Sequence, residues 1–137
     1  MAKQRAFSTS LGLLKKVGLR PTRQRLALCK LLFEGGHRHV CAEQLYEEAT
    51  SSRIRVSLAT IYNTLHQFRD AGLLEELNLN GGRSWFDTNV DAHHHFHIPE
   101  QNKVIDIPSG DIMFASLPKP PQGMEMKNIG VMITLKR

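Results

Sequence analysis

The 137-residue chain is predicted to be an α+β protein in two parts, on three observations. Apolar residues recur at helical spacing through residues 11–71. Two strand-like runs then flank Asn80-Gly81-Gly82-Arg83, which is a hairpin signal. Beyond residue 92 no full helix is legible, and short β-type runs alternate with Pro and Gly.

The elements follow in order. Residues 1–10 are basic and polar and are expected to fray. Leu11, Leu13, Leu14 and Val17 predict a short helix stopping near Gly18. Pro21 and Thr22 open a second helix, with Thr22 as N-cap. Its apolar stripe is Leu26, Cys29, Leu32 and Phe33, and Gly35-Gly36 ends it. Residues 42–49 read as a third helix with Leu45 and Tyr46 facing inward. Residues 57–71 give the clearest pattern: Leu58, Ile61, Leu65 and Phe68 share one face. Ala59, Thr60, Asn63 and Gln67 point the other way, and Gly72 closes the helix. Strand-like runs at 73–79 and 84–87 complete the first part.

Helices followed by a hairpin is the order of a winged helix-turn-helix. In that arrangement the last helix lies in the DNA major groove and the hairpin tip meets phosphate. Asn63 is a side chain that reads a base edge. The charge distribution points the same way. Residues 1–30 hold eight basic side chains and no acidic one, whereas residues 31–137 hold ten basic and thirteen acidic, a net −3. A basic front implies an anionic partner, nucleic acid or an anionic membrane surface.

Composition excludes other classes. No run approaches the roughly 18 apolar residues of a membrane span, and no secretory signal is visible. Two cysteines, Cys29 and Cys41, make neither a disulfide framework nor a thiolate zinc site. A reducing cytoplasm is the simplest setting. The expected organisation is a DNA-binding domain at 1–88, a linker at 89–92 and a second domain at 93–137. That second domain reads as a strand at 104–107, at most a short helix at 112–117, and a last strand at 131–135. So small a segment, with no disulfide, is not expected to hold a core alone. It should pair with a copy of itself, giving a homodimer suited to two-fold operators.

Seven histidines are present, and His93, His94, His95 and His97 fall within five residues. On a strand, His93, His95 and His97 share one face and His94 and Phe96 the other. Imidazoles at i and i+2, completed by carboxylates, suit iron, manganese or zinc. Asp87, Asp106 and His39 are the further donors in view. A site fed by both domains would couple their relative angle to ligand occupancy. Haem is the other ligand that imidazole serves.

These residues resemble the ferric uptake regulator family. The likeness is carried by Gly18-Leu19-Arg20-Pro21-Thr22 with Arg25, by residues 39–46 (His-Val-Cys-Ala-Glu-Gln-Leu-Tyr), and by residues 57–65 (Ser-Leu-Ala-Thr-Ile-Tyr-Asn-Thr-Leu). Gln67-Phe68, Ala71-Gly72-Leu73, Gly81-Gly82-Arg83-Ser84 and His93-His94-His95-Phe96-His97 extend it. The resemblance implies a dimeric, metal-responsive DNA-binding transcription regulator with an α/β dimerisation domain. It implies DNA contacts at Arg20, Arg25, Thr60, Tyr62, Asn63 and Arg83, with Arg20 entering the minor groove. It implies a metal site of His39, Asp87, His95, His97 and Asp106.

The chain also departs from the family. Phe96 stands where the second metal site has Asp, and Met113 and Ile129 replace its other ligands, so that site is expected to be absent. The two CxxC pairs of structural zinc are missing, so no structural zinc held by four cysteines is expected. Residues 117–125 and the histidine run are most similar to the iron-response regulator subgroup. That implies repression of haem-synthesis and iron-use genes under iron limitation. No Cys-Pro haem motif occurs, which leaves His93, His94 and His95 as haem ligands. A general iron, manganese or zinc repressor without haem sensing is the alternative. A small metal-dependent enzyme is a third reading, opposed by the lack of an obvious nucleophile–base pair.

Overall fold

Two hydroxyls start the second and fourth helices. Thr22 Oγ1 accepts the Arg25 N–H and Ser57 Oγ accepts the Thr60 N–H, each satisfying a donor that a helix start leaves open. The computed structural model describes residues 2–79, 82–91, 93–108 and 110–137, and only the backbone of 2–8. Asn80 and Gly81 of the expected hairpin turn, and Ala92 of the expected linker, lie outside the described residues. The chain divides into two compact units, Met1–Val90 and Asp91–Arg137.

The first unit contains α1 (Ala2–Lys16), α2 (Arg23–Phe33), β1 (His39–Val40), α3 (Ala42–Ser51), α4 (Leu58–Asp70), β2 (Glu75–Asn78) and β3 (Ser84–Asp87). Residues 2–10 are therefore helical, not frayed. Lys3, Gln4, Arg5 and Ala6 are good helix formers, and Lys15 and Lys16 fall in the last turn, where the macrodipole favours cations. Gly18 adopts φ +75 while its N–H reaches Lys15 O and the Leu19 N–H reaches Leu14 O. That paired cap requires a left-handed residue, which glycine supplies at least cost. Gly72 ends α4 in the same way, at φ +85.

The core of this unit joins Leu14, Leu28, Cys29, Leu32, Leu45, Ile61, Leu65, Phe68 and Phe86. Two expectations fail at its margins. Leu58 is exposed and Thr64 is buried in its place. Leu58 is the first residue of α4, so it sits at the helix end, outside the buried face. Tyr46 is likewise exposed. The buried face of α3 is Ala42, Leu45 and Ala49, and Tyr46 is rotated about 100° from Leu45.

The strands form a sheet of order β1-β3-β2. Strands β2 and β3 pair antiparallel, from Glu75 opposite Asp87 to Asn78 opposite Ser84. Strand β1 adds only His39 opposite Asp87 and Val40 opposite Phe86. Two residues are too few to show a period, so this strand is invisible in the sequence.

Burial pushes the Cys29 thiol up to about 12. In the native protein Cys29 is expected to resist iodoacetamide at pH 8.5 and to react once guanidinium unfolds the chain, as mass spectrometry would read. The raised value also fixes a sign. The contribution of the neutral thiol is complete below the unfolded pKa, near 9, and is lost as pH rises toward 12.

The second unit contains β4 (His94–Ile98), a 3-10 turn (Pro99–Gln101), β5 (Lys103–Ile107) and β6 (Met132–Thr134), with sheet order β5-β4-β6. Residues 112–117 form no helix, as Pro118, Pro120 and Pro121 would foreshadow. Among its described residues only His95, Val104 and Ile107 are buried. One face of the sheet carries the register row Ile105–Phe96–Ile133, and Ile105 and Ile133 are exposed.

Candidate metal centre and nucleic-acid interface

In the first unit, pairing of β1 with β3 sets His39 opposite Asp87. His39 Nε2 lies 3.1 Å from Asp87 Oδ2, and the Asp87 side chain is almost wholly buried. Asp87 Oδ1 accepts the Asn89 N–H. Beyond the strand the Thr88 N–H donates to Arg38 O, and the Arg38 N–H donates to Thr88 Oγ1. Arg38 Nη1 and Nη2 then donate to Glu48 Oε1 and Oε2 on α3, at 2.7 and 2.6 Å. This two-pronged bond holds the His39 strand against α3.

In the second unit, His95 pairs with Asp106 across β4 and β5. His93 Nε2 lies 3.2 Å and His95 Nε2 3.5 Å from the same Asp106 Oδ1. The two rings are 4.3 Å apart, and one donor atom from each of the three residues lies within 4.8 Å of the others. Two imidazoles converging on one carboxylate oxygen form a cation-binding arrangement of nitrogen and oxygen donors, which fits iron, manganese or zinc. His97 lies two residues further along β4, opposite Val104 and Thr134, and does not join this group. The resemblance names His97 and the geometry names His93. His93 precedes the strand, and its Nδ1 lies against Asp91 O.

His94 faces the other side. Its Nδ1 accepts the Val131 N–H at 3.0 Å, and its ring stands edge-on to Phe114. A neutral imidazole accepting at Nδ1 carries its proton on Nε2. Neither nitrogen then presents a free lone pair, so this conformation does not suit His94 as a haem ligand.

The residues expected to contact nucleic acid lie in the first unit. Arg20 and Asn63 are exposed. Thr60 is half-buried and accepts the Ser57 hydroxyl, so it finishes the helix start. Tyr62 is half-buried against the core, and its hydroxyl donates to Glu43 Oε1 at 2.6 Å. Arg83, exposed before β3, points Nη1 at Cys41 Sγ. Cys41 is the N-cap of α3 and makes no side-chain cap bond. Arg25 is engaged with Arg20 O and Gln67.

Glu43 is not legible as a site residue, since nothing in spacing links position 43 to 62. The Tyr62 bond, with the nearby Arg83 charge and against partial desolvation, holds the Glu43 carboxyl below its usual range. The same bond raises the Tyr62 phenol. Glu43 is thus the ionised partner that orients Tyr62. Its contribution is complete above the unfolded carboxyl pKa and is lost as pH falls through the lowered folded value. We expect Glu43→Ala to lower the phenol pKa read by ultraviolet titration. Glu43→Gln should keep Tyr62 in place, because the amide oxygen still accepts.

A helical unit with a three-stranded wing, carrying exposed Arg20 and Asn63, defines a winged-helix protein. The second unit adds a histidine–carboxylate cluster. The chain belongs to the ferric uptake regulator family, whose model matches residues 16–133. The "Ferric uptake regulation protein" of Shigella flexneri is 42% identical over 85 residues, covering 62% of this chain and 57% of that one. The "Peroxide-responsive repressor PerR" of Staphylococcus epidermidis is 35% identical over 97 residues, covering 71% of this chain and 64% of that one. These matches thus span less than two thirds of either relative. The crystal structure of the Vibrio cholerae ferric uptake regulator superposes with a TM-score of 0.75 at 26% identity, covering 92% of this chain and 98% of that one. No helix among the described residues is long and apolar enough to cross a membrane.

Proposed function

We propose that this chain is a homodimeric, metal-responsive transcriptional repressor that binds operator DNA in the cytoplasm, a regulator and not an enzyme. The observation that carries the metal reading is the convergence of His93 and His95 on Asp106. We assign the ligands as His95 and Asp106 with His93 or His97 from the second unit, and His39 with Asp87 from the first. An ion held by these donors would supply positive charge that offsets the carboxylates.

Arg20, Tyr62, Asn63 and Arg83 are the proposed DNA contacts, with Thr60 shaping the helix start. The row Ile105–Phe96–Ile133, exposed at its two ends, supports self-association, since so small a unit gains from covering an apolar face. The iron-response reading, repression of haem-synthesis and iron-use genes under iron limitation, rests on likeness of the tail and histidine run. The bond to His94 favours a divalent ion over haem as the ligand.

The test is a DNA-binding titration with and without haem and with Fe(II), Mn(II) and Zn(II). We expect affinity to change with a divalent ion. An affinity indifferent to every metal would refute the sensing role, and a response to haem alone would replace the ion by haem.

A further inference from the structure

Arg25 carries one of the eight positive charges of the first thirty residues, and a phosphate contact is its simplest use. The structure commits its guanidinium elsewhere. Nη1 donates to Arg20 O at 2.9 Å and Nη2 donates to Gln67 Oε1 at 2.9 Å. Arg20 O also accepts the Thr22 N–H, and the Arg25 N–H donates to Thr22 Oγ1. Residue 25 therefore holds the Arg20-Pro21-Thr22 turn with both its backbone and its side chain. The far end of the bracket, Gln67, lies one helical turn from Asn63 on the exposed side of α4.

We propose that Arg25 is a positioning residue. It braces the Arg20 turn against α4 and so sets the spacing between the Arg20 side chain and the face that bears Asn63. This rests on the DNA-binding reading above and extends it. Two contacts in neighbouring grooves discriminate only if their separation is held, and a loop without the brace would let Arg20 drift from that register. The brace needs two nitrogens diverging in one plane, which a guanidinium has and an ammonium lacks. Lysine keeps the charge and loses the geometry.

The test uses the full chain and a duplex selected by the wild-type protein from a random pool. Arg25→Lys and Gln67→Ala should each weaken binding to that duplex about tenfold. Affinity for an unrelated duplex and the salt slope should stay unchanged. The double variant should lose no more than Arg25→Lys alone, since Gln67→Ala removes only the Arg25–Gln67 bond that Arg25→Lys already breaks. Thermal melts of the Gln67→Ala protein, altered only at an exposed side chain, separate this from misfolding. Wild-type binding by Arg25→Lys would overturn the proposal. So would a salt slope reduced by about 0.9 in Arg25→Gln, which marks a lost phosphate contact. A wild-type protein that selects no duplex overturns the DNA-binding reading and this proposal with it.

Discussion

His95→Ala is expected to lower Mn(II) affinity by about a hundredfold or more and to abolish the effect of the ion on DNA binding. Competition against a fluorescent chelator would read the first quantity, and a DNA titration at fixed ion the second. His95 is the buried member of its cluster, with a side chain only 5% exposed, and it shares Asp106 Oδ1 with His93. Its loss takes away an imidazole and leaves Asp106 one partner fewer. His94→Ala is the matched control, because its Nδ1 is already occupied by the Val131 N–H, and it should change Mn(II) affinity by less than about threefold. Equal losses in the two variants would move the ligands to the opposite face of β4. A paired comparison of His93→Ala and His97→Ala decides which histidine completes the set. The observed geometry favours the larger loss at His93. Asp87→Ala should also lose the metal response if the first unit contributes ligands. Retention of full response there would confine the site to the second unit.

The second large effect is expected at α4. A Tyr62→Ala, Asn63→Ala double variant should lose most discrimination between a selected duplex and an unrelated one, at roughly 1–3 kcal/mol per base contact. The residual, salt-dependent binding should persist, because it comes from the basic side chains of the first thirty residues. Ratios of dissociation constants for the two duplexes, measured at several salt concentrations, provide the readout. Tyr62 packs partly on the core and near His66, so removing its ring also costs stability. Tyr62→Phe keeps the ring and removes only the bond to Glu43. If the double variant discriminates like wild type, the reading element lies elsewhere than α4.

These two sites differ in how far the sequence alone reveals them. Asn63 and Tyr62 follow from a helical period and a family likeness, because a helix fixes its own faces over four residues. The histidine run is equally visible, but its partition is not. Alternation places His93, His95 and His97 on one face. Which two meet Asp106 depends on the register with β5, which is not a local property. Glu43 and the role of Arg25 are out of reach for the same reason. Each acts on a residue in another element, 19 positions from Tyr62 and 42 from Gln67.

Local chemistry in the chain was enough to specify the helix starts at Thr22 and Ser57, the stops at Gly18 and Gly72, the α+β class, and the separation of a basic front from a histidine-bearing rear. Capping, left-handed glycine and helical period act within a few residues of one another. The tertiary structure alone decided that a two-residue strand sets His39 against Asp87, that His93 stands beside His95, and that Arg25 braces a turn. Those outcomes depend on pairing register and on contacts between distant elements, which emerge only when the chain has packed.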